Sequence, residues 1–252
     1  MWFFLVSFKF GGQAPIAIQA SSWREHVTRS TPRQTAKVTH LKKGRPPRDE
    51  AIARRQERSD ELLRASAVVL ERCGVRHTSM DALADQLGIP KTVLYRYFGS
   101  KDEIVRSILQ RILNQWTELQ TQPWRGLSHN LHEVIALARA NQSEFLLLAR
   151  HSATDPDLRP FFESLHSSIV DRTDKLLELS SPSMAADRVI RQLCSQAVTG
   201  FMIDAVLWWI ENGDKKRDDD FFRWARQSLN TLYRQWIPDS DWRPNRSKDK
   251  TP

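Results

Sequence analysis

The sequence predicts an all-α protein, and three observations predict it. Between Asp49 and Ile237 no alternating β-branched run bounded by hairpin turns occurs; apolar residues instead return every three or four positions, as in Leu62, Ala65 and Val69 or Leu63, Ala67 and Leu70. Stop signals at Cys73-Gly74, Gly88, Pro123, Asp155-Pro156, Ser181-Pro182, Asn212-Gly213 and Pro238 cut this stretch into helix-length segments. Start signals sit beside them, most fully at Ser100-Lys101-Asp102-Glu103. There the Ser100 hydroxyl is expected to accept from the Glu103 N–H, and the Glu103 carboxylate from the Ser100 N–H.

At 252 residues, 40% hydrophobic and 27% charged, the chain can bury a core, which excludes collagen-like and wholly disordered classes. Two cysteines, Cys73 and Cys194, neither staple a secreted scaffold nor close a four-thiolate zinc site, and a reducing cytoplasm fits them. Trp2 to Phe8 is apolar, but too short to span a bilayer and without a preceding basic residue, so no membrane anchor is expected. Residues 1–48 read as a flexible basic extension and 239–252 as a flexible tail. The net charge of +8 is unevenly placed: residues 1–101 hold 18 Lys and Arg against 9 Asp and Glu, and the rest hold 20 against 21. A basic front end on a near-neutral body is the footprint of a polyanion binder.

Helix by helix, the first segment runs to Cys73, a second from about Ser79 to Leu87, and a third from Pro90 to about Tyr97. Leu83-Ala84, Leu87-Gly88-Ile89 and Leu94 have the spacing of a helix-turn-helix. Ala84 is small where the second helix crosses, Gly88 permits a left-handed turn, and Leu83, Leu87, Ile89 and Leu94 wedge the pair together. Pro90 is expected in the first turn, where no N–H is needed. Lys91, Thr92 and Arg96 supply donors for phosphates and base edges, and Val93 an apolar surface for a thymine methyl. Tyr95 lies in the aromatic run Leu94 to Phe98, and Tyr97 can hydrogen-bond a phosphate while its ring packs. Upstream, Gly44-Arg45-Pro46 is narrow and extended, so Arg45 is a candidate for an A·T-rich minor groove; a solvated linker is the equal alternative.

Residues 54–110, most specifically Thr78 to Lys101 with the run Leu-Tyr-x-Tyr-Phe-x-Ser-Lys, resemble the DNA-binding domain of TetR-family transcriptional regulators. The resemblance implies a three-helix helix-turn-helix domain over 49–101, its first helix from about Arg54 to Cys73, and a helical ligand-binding and dimerisation bundle over 102–238. It implies major-groove contacts around Lys91, phosphate grips at Tyr97 and Lys101, and backbone contacts at Thr78 and Ser79. Pro90 departs from the family's usual Ser or Thr cap and Val93 from its usual small or hydroxylic residue, so base preference does not carry over.

Beyond residue 101, Met184 to Glu211 carries Ile190, Leu193, Ala197, Phe201, Ala205 and Trp208 at helical spacing, and Asp220 to Trp236 forms a further helix. By resemblance these last two long helices form a homodimer that presents two recognition helices to a palindromic operator on double-stranded DNA; an ordinary monomeric core has the same periodicity. Asp204 interrupts the apolar run, and contacts an inducer, pairs across a dimer or faces water, the last two being favoured. A hydrophobic small-molecule effector is expected, with Trp116, Phe145, Leu148, His151, Phe161, Phe162 and Trp208 as candidate pocket residues. No cofactor and no metal are expected: His129 and His132 lack a signalled third ligand, and His132-Glu133-Val134-Ile135-Ala136 fails the zincin pattern. No catalytic motif appears. The function read from the sequence is a cytoplasmic, nucleoid-associated, ligand-released repressor; an architectural DNA-binding protein or a helical ligand-binding enzyme are the alternatives.

Overall fold

The computed structural model describes residues 48–237, and among them every regular element is helical. The chain runs through α1 (Arg48–Cys73), α2 (Met80–Leu87), α3 (Lys91–Phe98), α4 (Lys101–Thr121), α5 (Leu127–Ala140) and α6 (Gln142–Leu146). A π-helical turn, Leu147–His151, leads into α7 (Ser152–Thr154). The chain then continues through α8 (Arg159–Ser180), α9 (Pro182–Ala186), α10 (Arg188–Asn212), a 3-10 turn (Lys215–Arg217) and α11 (Asp218–Trp236).

The ends of these helices follow from their flanking residues. Ser79 is the N-cap of α2, its hydroxyl accepting from the Ala82 N–H at 3.1 Å. Pro90 is likewise a cap rather than a first-turn residue, with extended backbone (φ −60, ψ 135), so α3 starts at Lys91. Ser100 accepts from the Glu103 N–H at 3.1 Å, but the return bond from the Ser100 N–H does not form, leaving half of the expected box. Gly88 takes the left-handed conformation at φ 64, and its N–H and that of Ile89 reach the Ala84 carbonyl as α2 closes.

The buried cluster is continuous across residue 101. Leu70, Leu83 and Leu94 of the first three helices join Ile104, Ile108 and Ile112 of α4, then Ile135, Leu148 and Leu165 farther on. Helix α1 packs on α2 and α4 and also on α6 and the π-helical turn, so it braces the front end against the body. Two ion pairs reinforce that junction. Arg76, in the α1–α2 loop, meets Asp155 with two bonds, at 2.8 and 3.0 Å, and its guanidinium holds the Asp155 carboxyl below the usual carboxylate range. Arg111 of α4 meets the buried Glu144 of α6, whose pKa burial nonetheless raises above the usual range.

In the body, α8 and α10 make the most extensive contact. Buried Arg191 ties α8, α9 and α10 together by donating to Asp174 at 3.0 Å and to the Met184 carbonyl at 2.9 Å. Asp218, at the start of α11, accepts from Arg139 at 2.6 Å and from the Trp209 indole at 2.7 Å. Helix α10 is the one described helix long and apolar enough to cross a membrane by length and composition alone, with a mean hydropathy of 1.4 over its most apolar window. Part of that apolar surface lies on α8; the rest faces outward.

Candidate nucleic-acid interface

Helix α3 is short, and its packing decides what it offers. Leu94 is fully buried and Phe98 half-buried against the main cluster, and these fix one side of α3; Val93 is half-buried at the edge of the open face. Lys91, Thr92, Tyr95 and Arg96 fall on the opposite side, and all four are exposed. Spacings of one, three, four and five residues put them on one helical face. That face carries two cations, a hydroxyl and a phenol; the acids that flank it in sequence are Asp81 and Asp85 of α2 and Asp102 and Glu103 of α4.

The charged groups are not idle. Lys91 Nζ lies 3.0 Å from Asp81 Oδ1, and that hydrogen bond raises the Lys91 pKa above its usual value. An exposed pair of this kind is weak and exchanges readily for a phosphate. The Arg96 guanidinium stands 5.6 Å from the centre of the Tyr97 ring and that of Arg55, from α1, 5.7 Å from it. Two cations gathered on one ring without a described carboxylate partner make a local anion-seeking centre. Arg55 was not foreseen in the sequence: nothing in its spacing links it to Tyr97, 42 positions away.

Three expected contacts need restating. Thr78 is buried, and its hydroxyl donates to the Gly74 carbonyl at 2.8 Å, closing the turn after α1. Its side chain is therefore occupied inside the fold, and only the exposed Ser79 remains at the surface there. Lys101 is half-buried and donates to the Val75 carbonyl at 3.0 Å, so it fastens α4 to the α1–α2 loop and keeps two donors for anything outside. Arg45 lies outside the described residues.

A second feature sits in the body: a cavity of about 1100 Å³ bounded by α4, α5, α6, α8, α10 and α11. Of the seven candidate pocket residues, only Trp116 and Phe145 line it. Leu148 is fully buried in the main core, His151 and Phe161 are half-buried away from the cavity, and the Phe162 ring packs against His166. Trp208 is 60% exposed on the outer side of α10. Helical spacing shows that a residue is on a face but not which neighbour that face meets, and the π-helical turn offsets the faces in its own run as far as Thr154. The cavity residues that the sequence reading missed include apolar ones, among them Leu165, Val198 and Leu229, and polar ones, among them Asn130, Arg172 and Thr199.

The outer side of α10 shows Ile190, Leu193 and Trp208, with Trp224 of α11 adding to the same exposed apolar surface. Phe201 and Trp224 rings lie 5.5 Å apart and line a shallow groove with Ala197, Leu232 and Trp236. Asp204 is exposed, facing water in the single chain. Among the described residues no cluster of three or more His, Cys, Asp or Glu could hold a metal; His132 instead stacks on Phe222 at 3.7 Å.

Residues 62–108 match the family model described as "Bacterial regulatory proteins, tetR family". Over 174 residues, 66% of this chain and 78% of the other, the protein is 25% identical to the HTH-type transcriptional activator FasR of Mycolicibacterium smegmatis. Over 55 residues, 22% of this chain and 23% of the other, it is 40% identical to an uncharacterised HTH-type transcriptional regulator of Mycobacterium tuberculosis. Among solved structures, a TetR-like transcriptional regulator from Rhodococcus sp. RHA1 superposes with a TM-score of 0.57 at 24% identity, over 74% of this chain and 99% of the other. A TetR/AcrR-type regulator from Aquifex aeolicus superposes with a TM-score of 0.54 at 17% identity, over 69% and 98%. These superpositions show a shared fold.

Proposed function

From the premise that the chain belongs to the tetR family of bacterial regulatory proteins, we propose that it is a homodimeric, ligand-responsive repressor that acts in the cytoplasm on a palindromic site in duplex DNA. The observation that carries this reading is the outward polar face of α3, with Lys91, Thr92, Tyr95 and Arg96 exposed over a fully buried Leu94. In this reading Lys91, Thr92, Val93 and Arg96 reach base edges, while Ser79, Tyr95, Tyr97, Arg55 and the free donors of Lys101 hold phosphates. The expected minor-groove role of Arg45 is part of the same proposal.

The second copy is supported by the exposed apolar side of α10 and α11. Burying such surface contributes roughly 25 cal/mol per Å² of apolar area, and a like surface on another copy would cover it. Two α3 faces would then lie about one duplex turn apart, roughly 34–36 Å, which makes the target an inverted repeat.

Ligand response has a mechanical route. A molecule in the cavity would press on Trp116 of α4 and Phe145 of α6. Glu144, next to Phe145, holds Arg111 on the same face of α4 that leads back to Ser100 and α3. A coupling of about 1–3 kcal/mol along that route would weaken DNA binding roughly 5- to 150-fold.

Selection of binding sites from random duplex DNA tests the reading. A recovered inverted repeat supports it, and equal affinity for all duplexes with one salt slope would mark an architectural protein instead. A reporter driven from the recovered site decides the sign: output that rises when the chain is absent supports repression, and output that falls would put the chain with the activator FasR.

A further inference from the structure

The walls of the body cavity are charged in one direction only. No Asp or Glu contributes to them, whereas Arg125, Arg172 and Arg226 do. The deep wall is apolar: Trp116, Phe145, Leu165, Val198 and Leu229 are each buried. Arg125 and Arg226 are exposed and Arg172 half-buried, so positive charge collects toward the rim and apolar surface toward the floor.

Arg172 is unlike the other inward-facing arginines. Arg111, Arg139 and Arg191 each meet a carboxylate. Arg172 donates only to uncharged oxygens, the Gln120 carbonyl at 2.6 Å, Gln120 Oε1 at 3.1 Å and the Gln122 carbonyl at 3.2 Å, and stacks over Trp124 at 5.4 Å. Burial without a counter-charge pulls its pKa below the usual guanidinium range. A half-buried cation without an anion is unfavourable, and a ligand carrying one relieves it. Two residues of the wall carry unpaired polar atoms. Thr199 is fully buried, and its hydroxyl has no hydrogen-bond partner; the Asn130 amide nitrogen, also buried, has none either. Both atoms belong to residues of the cavity wall but are themselves closed off from its space, so the exposed charge of the wall, not these atoms, is what a ligand meets. At about 1100 Å³ the space lies at the upper end of ligand-binding cavities.

We propose that the cavity binds an amphipathic anion, an extended apolar chain lying along the Trp116–Leu229 floor with a carboxylate or phosphate head held toward Arg172 and the rim arginines. Lipophilic cations are selected against, because no wall residue can neutralise them. The proposal deepens the ligand-responsive reading and rests on it for its biological consequence.

Calorimetry on the full chain with four probes of equal tail length, each below its micelle threshold, tests it: dodecanoate, dodecyl phosphate, dodecanol and dodecyltrimethylammonium. Both anions are expected to bind about tenfold or more tighter than dodecanol, a difference of about 1.4 kcal/mol, and the cation more weakly still. The tighter of the two anions identifies the head group. In the double variant R125Q/R226Q, whose exposed positions leave the fold intact, the preference for anions should shrink; in R172Q it should fall to within about threefold, with R172K restoring it. Dodecanol or the cation binding as tightly as the anions, or R172Q keeping the full preference while remaining folded by circular dichroism, would overturn the proposal. Fluorescence anisotropy on a selected duplex separates the two ideas: an anion that binds without changing DNA affinity leaves the ligand class standing and removes the ligand response.

Discussion

Helices α3 and α10 each leave one side uncovered, and the chemistry of the two sides is opposite. On α3 the open side is Lys91, Thr92, Tyr95 and Arg96; on α10 it is Ile190, Leu193 and Trp208. Water solvates the first at little cost, so exposure there does not by itself demand a partner. It penalises the second, because exposed apolar area costs roughly 25 cal/mol per Å². The physical argument for an occupant is thus stronger on α10, although the sequence signal is stronger on α3. The α3 side needs its spacing, its neighbours and its family match to be read; the α10 side needs only to be seen exposed.

The largest expected effect breaks the apolar side. Leu193→Asp would set like charges against each other between two copies, costing several kcal/mol, so the chain should sediment as a monomer and lose about 100-fold in affinity for an inverted repeat. An unchanged dimer would move the interface elsewhere. Next is the polar side: Arg96→Ala or Lys91→Ala should weaken binding about tenfold and change which base pairs are preferred, as read by competition with single-base variants, while the dimer persists. A uniform loss across all sequences would reassign either residue to phosphate.

Lys101→Ala sharpens the boundary between binding and folding. Losing the bond to the Val75 carbonyl should lower unfolding free energy by about 1–2 kcal/mol in urea; a salt slope that also drops by about one would show a phosphate contact in addition. Gly88→Ala adds a Cβ into open space, so only the positive φ opposes it, and a loss of about 1 kcal/mol is expected. The smallest effect is electrostatic. Arg76 lowers the Asp155 pKa below its ordinary 3.8, so this pair stabilises the fold above that value, and the contribution fades as pH falls through the depressed folded pKa. The stability gap between the natural chain and Asp155→Asn should accordingly be widest near neutrality, begin to shrink near pH 3.8 and close only below the depressed folded pKa.

The helix-turn-helix was legible because its residues act locally. Leu83, Ala84, Gly88 and Leu94 sit within twelve positions of one another, and each has a steric reason that spacing alone reveals. The boundaries of the second and third helices shifted by one residue, since Pro90 serves as a cap and Ser79 lies just outside α2, while the first helix begins at Arg48 rather than about Arg54. Thr78 and Lys101 were read toward solvent because their partners, the carbonyls of Gly74 and Val75, are backbone atoms with no signature in sequence. The pocket was the least legible part. Its walls come from six helices, so Trp116 and Phe145 were found by being large and apolar, while Leu148 and Phe162, equally apolar, face elsewhere. Arg172 matters there for what it lacks, a carboxylate partner, and an absence of that kind has no sequence pattern.

Photo-crosslinking tests most directly the claim that the two open sides meet different partners. Benzoylphenylalanine placed at Thr92 or at Leu193 should, on illumination with a selected duplex present, capture DNA from position 92 and a second copy of the chain from position 193. DNA captured from position 193, or a second copy from position 92 with no DNA, would contradict the account.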